Sequence, residues 1–302
     1  MQSNQIMHNA WKMRIIVPAF NIPYIPMMEP IMQAARDEDA FCLVAVARLE
    51  WTKFHSRSME AISREFARLS NSDHVRLHLD HIPVIDEDNL EVPYLELISQ
   101  AVELGFQSVM VDGSRLALEQ NIAAAREVVE LAHKADIPVE AELGAVLGHE
   151  AEPDMTYEEI VRTRTGFTSV AEARRFVAET GCDWLSVAFG NIHGAVSQAL
   201  RDNKKVAAQL DIPHLKELSA AAGVPLVLHG GSGIPRDNIQ QAVEHGIAKI
   251  NIGTEVRQTY EQALKASDST EKAQAAVHEK TRSILRDFLE IAGKRQDVTG
   301  GT

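Results

Sequence analysis

Short apolar runs rich in β-branched residues recur about eight times along the chain, and between them apolar residues return every three to four positions, as on one face of a helix. The runs lie at 14–21, 41–48, 75–81, 108–114, 139–144, 184–190, 225–229 and 249–254. Each is almost wholly apolar, the pattern of a parallel strand covered by helices and not of a strand with one face in water. Amphipathic stretches at 95–104, 118–135, 170–180, 212–222 and 238–245 predict helices. Several stop at a glycine just past the last periodic position: Gly105, Gly181, Gly223 and Gly246.

Eight β-then-α units in about 260 residues predict an α/β fold of the (β/α)8 TIM-barrel type. A doubly wound sheet has fewer strands and a glycine-rich first turn, and no G-x-G-x-x-G follows the first strand here. A single domain is expected over 1–302, with the barrel at about 14–265 and one or two extra helices at about 266–293. Residues 296–302 read as a frayed tail. The longest stretch without either pattern is 145–167, directly after strand five, and compact domains usually keep loops of that length for function.

With 45% hydrophobic residues among 302, the chain can bury one large core. Lys and Arg number 30 against 43 Asp and Glu, for a net charge of −13, so a nucleic-acid partner is not expected. No apolar run approaches the roughly 18–20 residues of a membrane span, and residues 1–14 lack the apolar core of a signal peptide. A cytoplasmic protein with no membrane partner is the expectation. Cys42 and Cys182 suit a reducing compartment and read as buried thiols.

In a barrel the reacting groups sit at the C-terminal ends of the strands. Five runs end in polar residues: His78-Leu79-Asp80-His81, Glu140-Ala141-Glu142, Asn191-Ile192-His193-Gly194, His229-Gly230-Gly231-Ser232-Gly233 and Asn251-Ile252-Gly253-Thr254. His81, His193 and His229, from three different strands, can converge on one divalent ion and leave a position open, as in a catalytic zinc site. Asp80 beside such a ligand can carry a proton or support a histidine. Glu142 can ligate the metal or hydrogen-bond a histidine. Glu150, in the long loop, can swing over a substrate as acid or base, or stay solvated. His78 shares strand parity with Asp80 and can orient it. The glycine-rich turns at 230–233 and 251–254 follow strands seven and eight, where barrels commonly hold a phosphate on backbone N–H groups.

These residues resemble the class II, metal-dependent ketose-bisphosphate aldolases, the family of fructose-bisphosphate and tagatose-bisphosphate aldolases. The likeness runs over about 18–260. It is carried by Ala19-Phe20-Asn21, HLDH at 78–81, GFQSVMVDGS at 105–114, Asn121, VEAELG at 139–144, Gly190-x-x-His193-Gly194, PLVLHGGSG at 225–233 and KINIGT at 249–254. The resemblance implies that His81, His193 and His229 hold a catalytic Zn2+ and that Asp80 exchanges the C4 hydroxyl proton. It places Glu142 at an alternative metal position, Asp112 nearby, and Glu150 on a loop glutamate of proton transfer. Gly194, Gly230, Ser232, Asn251 and Thr254, with Gly231, Ile252 and Gly253, would hold dihydroxyacetone phosphate. A monovalent cation near the phosphate and a homodimer or homotetramer are also implied.

The reaction so implied is the reversible cleavage of a ketose (bis)phosphate to dihydroxyacetone phosphate and an aldehyde through a zinc-stabilised enediolate, with fructose 1,6-bisphosphate or tagatose 1,6-bisphosphate as substrate. Strand two departs from the Ser- or Gly-rich end of many relatives, reading Val44-Ala45-Val46-Ala47-Arg48-Leu49-Glu50-Trp51. Arg48 can meet an anionic group on the aldehyde half or pair with Glu50. Another anionic ketose 1-phosphate is the alternative substrate. Competing activities are a hydrolase or isomerase on the same metal, a Schiff-base aldolase using Lys249, and a non-enzymatic sugar-phosphate sensor.

Overall fold

Eight parallel strands pair in chain order, and the first closes on the last to make a barrel. They are β1 (Val17–Asn21), β2 (Cys42–Ala47), β3 (Val75–Pro83), β4 (Ser108–Asp112), β5 (Val139–Leu143), β6 (Trp184–Val187), β7 (Leu226–Leu228) and β8 (Ile247–Ile252). The computed structural model describes residues 1–69, 73–144, 157–191, 209–231 and 233–300. Its helices are α1 (Ser3–Met13), α2 (Met28–Asp37), α3 (Arg48–Thr52), α4 (Met59–Leu69), α5 (Tyr94–Glu103), α6 (Leu118–Ala132), α7 (Tyr157–Thr163), α8 (Val170–Thr180), α9 (Ile212–Ala222), α10 (Arg236–Glu244), α11 (Thr254–Ser267), α12 (Thr270–Ser283) and α13 (Arg295–Thr299). The expected TIM barrel is the observed fold. Among the described residues no helix is long and apolar enough to cross a membrane.

Local chemistry sets where helices start and stop. Ser169 and Asp211 accept from the backbone N–H of Glu172 and His214, capping α8 and α9. Both helices end at a left-handed glycine, Gly181 and Gly223, as their sequences predict. Two expectations need correcting. The stretch 145–167 is not loop to its end, because α7 occupies Tyr157–Thr163; Ile160 is buried, and acidic residues in the first turn with Arg162 in the last complement the helix dipole. The tail is not frayed at 296, because α13 packs on α1: Val298 is buried and its carbonyl accepts from Asn9 Nδ2 at 2.9 Å.

Strand parity builds the site. Residues two apart on a strand point the same way, so His78 and Asp80 on β3, Glu140 and Glu142 on β5, and Lys249 and Asn251 on β8 pair as a deeper and a shallower group. In each pair the shallower member stands nearer the C-terminal mouth. The deeper members His78, Glu140 and Lys249 have no exposed surface.

Candidate active site

A bulge makes the site possible. Along β3 and β4 the register runs Leu79 to Val109 and then Ile82 to Val111, three residues against two, and His81 at the bulge has φ +34°. Plain alternation would send His81 to the opposite face from Asp80. The bulge turns it back, so that Asp80, His81 and His229 bring ligand-type atoms within 4.8 Å of one another. A histidine in the left-handed region is a strained conformation, of the kind that collects at functional sites.

The two imidazoles face each other, with His81 Nε2 2.7 Å from His229 Nδ1. Each has a carboxylate behind it: Glu140 Oε1 lies 2.8 Å from His229 Nε2, and Asp112 Oδ2 lies 3.2 Å from His81 Nδ1. A carboxylate can only accept, so each takes the N–H of the rear nitrogen, and across the 2.7 Å between the rings one facing nitrogen donates to the lone pair of the other, a proton whose place a bound cation would take. Glu142 Oε2 lies 3.7 Å from His81 Nδ1 and 3.6 Å from His229 Nδ1, buried and without a hydrogen-bond partner.

Charge in this cluster is strongly perturbed. Burial, the Asp112 charge and the other carboxylates hold the Glu142 carboxyl well above the usual carboxylate range. Burial and the His81 charge push His229 down to about 4. His81 goes the other way: burial opposes its charge, yet Asp80, Asp112 and Glu142 raise it to about 10. Glu140 falls to about 2 despite burial, because Lys249 and His229 favour its anion. Two imidazole nitrogens turned toward one point, beside a buried carboxyl oxygen without a hydrogen-bond partner and further acids, form a nitrogen-and-oxygen donor set that fits a divalent ion of the zinc type once the proton between the rings is given up.

Asp80 is held on three sides. Asn21 Nδ2 donates to Oδ2 at 2.8 Å, Asn251 Nδ2 donates to both oxygens at 3.0 and 3.1 Å, and His78 Nε2 lies 3.7 Å from Oδ1. Burial raises its pKa, but the charges of His81, Lys249 and His229, with the His78 imidazole close by, hold it well below the usual range. Asn251 therefore spends its side chain on Asp80 and on Lys249 Nζ, which donates to its Oδ1 at 2.7 Å. Lys249 also meets Glu140 Oε2 at 2.8 Å and has no exposed surface, so a substrate carbonyl has no approach to its amine.

Beyond β8, Gly253 caps α11, whose N-terminus starts at Thr254 and opens at the mouth. Ile252 closes β8 and is buried. Gly230 adopts φ +72°, and a Cβ on Gly231 would stand 2.5 Å from Ile250 Cδ1 and 3.1 Å from the Asn251 carbonyl. The two turns thus lie backbone against backbone beside a helix N-terminus, an arrangement suited to an anion. His193, Gly194, Glu150 and Ser232 lie outside the described residues. Arg48 does not pair with Glu50: its Nη1 lies 3.3 Å from Asp86 Oδ2, while Glu50 Oε2 accepts from the Ala47 N–H at 2.8 Å. Glu50 folds back onto the start of its own short helix, where a carboxylate caps well, and this leaves Arg48 to the buried Asp86. Sequence reasoning gave Glu140 no role, although its parity with Glu142 placed it on the same axis.

The sequence matches the profile of the family described as fructose-bisphosphate aldolase class-II over residues 1–296. Among solved structures, the YdjI aldolase of Escherichia coli K12 is similar at 28% identity, covering 97% of this chain and 98% of that one with a TM-score of 0.77. The fructose-bisphosphate aldolase of Campylobacter jejuni shares the fold at 16% identity, covering 96% and 94% with a TM-score of 0.75.

Proposed function

The chain belongs to the class II fructose-bisphosphate aldolase family and is a carbon–carbon lyase, and from that premise we propose that it reversibly cleaves a ketose 1-phosphate to dihydroxyacetone phosphate and an aldehyde. Fructose 1,6-bisphosphate and tagatose 1,6-bisphosphate are the proposed substrates, zinc the proposed metal and the cytoplasm the proposed location. The observation that carries this reading is Asp80, an ionised buried carboxylate whose neighbours His81 and His229 turn ring nitrogens toward one point.

In the proposed reaction Asp80 accepts the C4 hydroxyl proton, the C3–C4 bond breaks, and the aldehyde leaves. Its three supports keep the carboxylate anionic and aimed. His81, His229 and, from the segment outside the described residues, His193 hold the ion, with Glu142 as an alternative ligand. A divalent ion there supplies Lewis-acid stabilisation of the charge left on the ketone oxygen. Gly230, Gly231, Ser232, Gly253, Thr254 and Gly194 cradle the phosphate with backbone N–H groups, a monovalent cation helping to balance its charge. Glu150 returns a proton to C3, completing dihydroxyacetone phosphate.

A ketose 1-phosphate with a different terminal group is the second reading. One observation favours it: Arg48, which could have met an anionic group on the aldehyde half or paired with Glu50, is paired with Asp86.

The test is release of dihydroxyacetone phosphate and aldehyde from a panel of ketose mono- and bisphosphates, before and after EDTA and with zinc added back. Cleavage lost to EDTA and restored by zinc supports the proposal and identifies the aldehyde half. Metal-independent cleavage, or none across the panel with metal bound, overturns it. We also propose a homodimer or homotetramer, which light scattering at micromolar concentration checks; a monomer there sinks the idea.

A further inference from the structure

A cation stands at the mouth just beyond the level of the proposed base. Ala47, the last residue of β2, pairs with Asp80 of β3, and Arg48 follows it as the first residue of α3. Take a ketose whose C1 phosphate lies on the turns after β7 and β8 and whose C4 hydroxyl meets Asp80. Its remaining carbons run outward from that level, toward the rim where Arg48 stands. A guanidinium so placed matches the geometry of a terminal phosphate.

Arg48 is already engaged. Its Nη1 lies 3.3 Å from Asp86 Oδ2, with the Asp86 side chain only 5% exposed. The other Asp86 oxygen is committed to its own loop: Oδ1 accepts from the N–H of Asp88 at 3.0 Å and of Leu90 at 2.9 Å, and the Asp86 N–H donates to the Leu90 carbonyl at 2.9 Å. The carboxylate is thus built into the turn after β3, and the longer, more flexible arginine comes to it. Lys53, directly after α3, is met by the same acidic run, 2.5 Å from Glu87 and 3.5 Å from Asp88. Asp86, Glu87 and Asp88 outnumber the two cations they meet, so this edge of the mouth is net negative. Such an edge repels a phosphate and is indifferent to a hydroxyl.

We propose that Asp86 is a specificity-determining residue: by holding Arg48 it withdraws the charge that a second phosphate would use, so that ketose 1-phosphates ending in an uncharged hydroxyl are cleaved about as well as 1,6-bisphosphates. The inference rests on the ketose 1-phosphate cleavage proposed above and sharpens its second substrate reading. It assigns a task to a loop after β3 that the proposed reaction leaves unused.

Asp86→Asn keeps the turn and releases the cation. The amide oxygen can still accept from the Asp88 and Leu90 N–H groups, which turns the NH2 toward Arg48, donor against donor. The readout is kcat/KM for fructose 1,6-bisphosphate divided by that for fructose 1-phosphate, on zinc-loaded enzyme. In the parent the bisphosphate should lead by no more than about threefold. In Asp86→Asn the ratio should rise by about 10- to 100-fold, the effect of one added hydrogen bond to a charged group. Adding Arg48→Met to Asp86→Asn should bring the ratio back to the parent's.

A parent that prefers the bisphosphate by more than about threefold, or an Asp86→Asn ratio within about threefold of the parent's, overturns the inference. If Asp86→Asn does not fold, Arg48→Met alone decides. A ratio like the parent's supports the inference, and a fall in the ratio shows that Arg48 meets the terminal phosphate despite Asp86. The two failures are told apart by turnover itself: cleavage with the bisphosphate well ahead leaves the aldolase reading standing and removes only the role of Asp86, whereas no cleavage of either ketose or of the wider panel removes both.

Discussion

Lys249 Nζ lies 2.8 Å from Glu140 Oε2 at the floor of the site, and neither side chain has any exposed surface. The other Glu140 oxygen holds His229, and Lys249 also holds Asn251, which in turn holds Asp80. One buried ion pair therefore supports both the histidine that faces the proposed metal position and the carboxylate proposed to take the proton. Its lysine cannot serve as a Schiff-base nucleophile while it fills that role.

Lys249→Met is expected to destabilise the fold by about 3–5 kcal/mol, since removing one partner leaves Glu140 charged, buried and uncompensated. Urea unfolding followed by circular dichroism measures this, the loss showing as a lower midpoint at similar slope. A variant within about 1 kcal/mol of the parent, the scale of an exposed ion pair, shows that the pair does not carry the floor.

The barrel was readable because strands covered on both sides leave continuous apolar runs, and glycine stops mark the helix ends. The candidate ligands were readable because polar residues closing such runs have few places to go. The bulge was not readable. Nothing in His78-Leu79-Asp80-His81 announces a left-handed φ at a histidine, and alternation assigns Asp80 and His81 to opposite faces; only the three-against-two packing of β3 on β4 reverses that. Glu140 behind His229 joins β5 to β7, 89 residues apart, and Arg48 reaches Asp86 across 38. Such pairings depend on how the barrel closes, and local pattern carries no record of them.

Asp80→Asn should lower kcat by about 10²–10⁴-fold, the range for removing a positioned proton-transfer group. The asparagine keeps the shape and can still accept from Asn21 and Asn251, so the melting temperature and metal content should stay near the parent's. Steady-state cleavage and elemental analysis check the two halves together. A kcat within threefold of the parent removes Asp80 from the proposed chemistry.

Asp112→Asn should weaken metal binding by about 10- to 100-fold, as expected when the group behind a ligating imidazole is altered. Asp112 accepts from the Ser114 hydroxyl and N–H as well as facing His81 Nδ1, so the carboxylate is fixed where the ring needs it. An amide can present its NH2 to the ring and favour the tautomer with its proton on the nitrogen that faces His229. Competition for zinc against a chromophoric chelator gives the affinity directly, and unchanged affinity shows that Asp112 does not set the ring.

Gly231→Ala tests the phosphate cradle apart from the metal. Its new methyl would stand 2.5 Å from Ile250 Cδ1 and 3.1 Å from the Asn251 carbonyl, so the turn after β7 must move off β8. The Ile250 methyl is the far end of a flexible side chain and can give way, whereas the Asn251 carbonyl is backbone and cannot. The displacement therefore falls on the Gly230–Gly231 peptide, where the proposed phosphate meets N–H groups. Losing one hydrogen bond to a charged group costs about 1.5–3 kcal/mol, or roughly 10- to 100-fold in affinity. The expected result is a KM for ketose phosphate raised by that factor, with zinc affinity unchanged because His229 lies two residues earlier on the strand side of the turn. Phosphate and zinc binding followed separately by calorimetry distinguish the outcomes: a parent-like KM places the phosphate elsewhere, and a joint loss of both ligands means that the turn serves the metal as well.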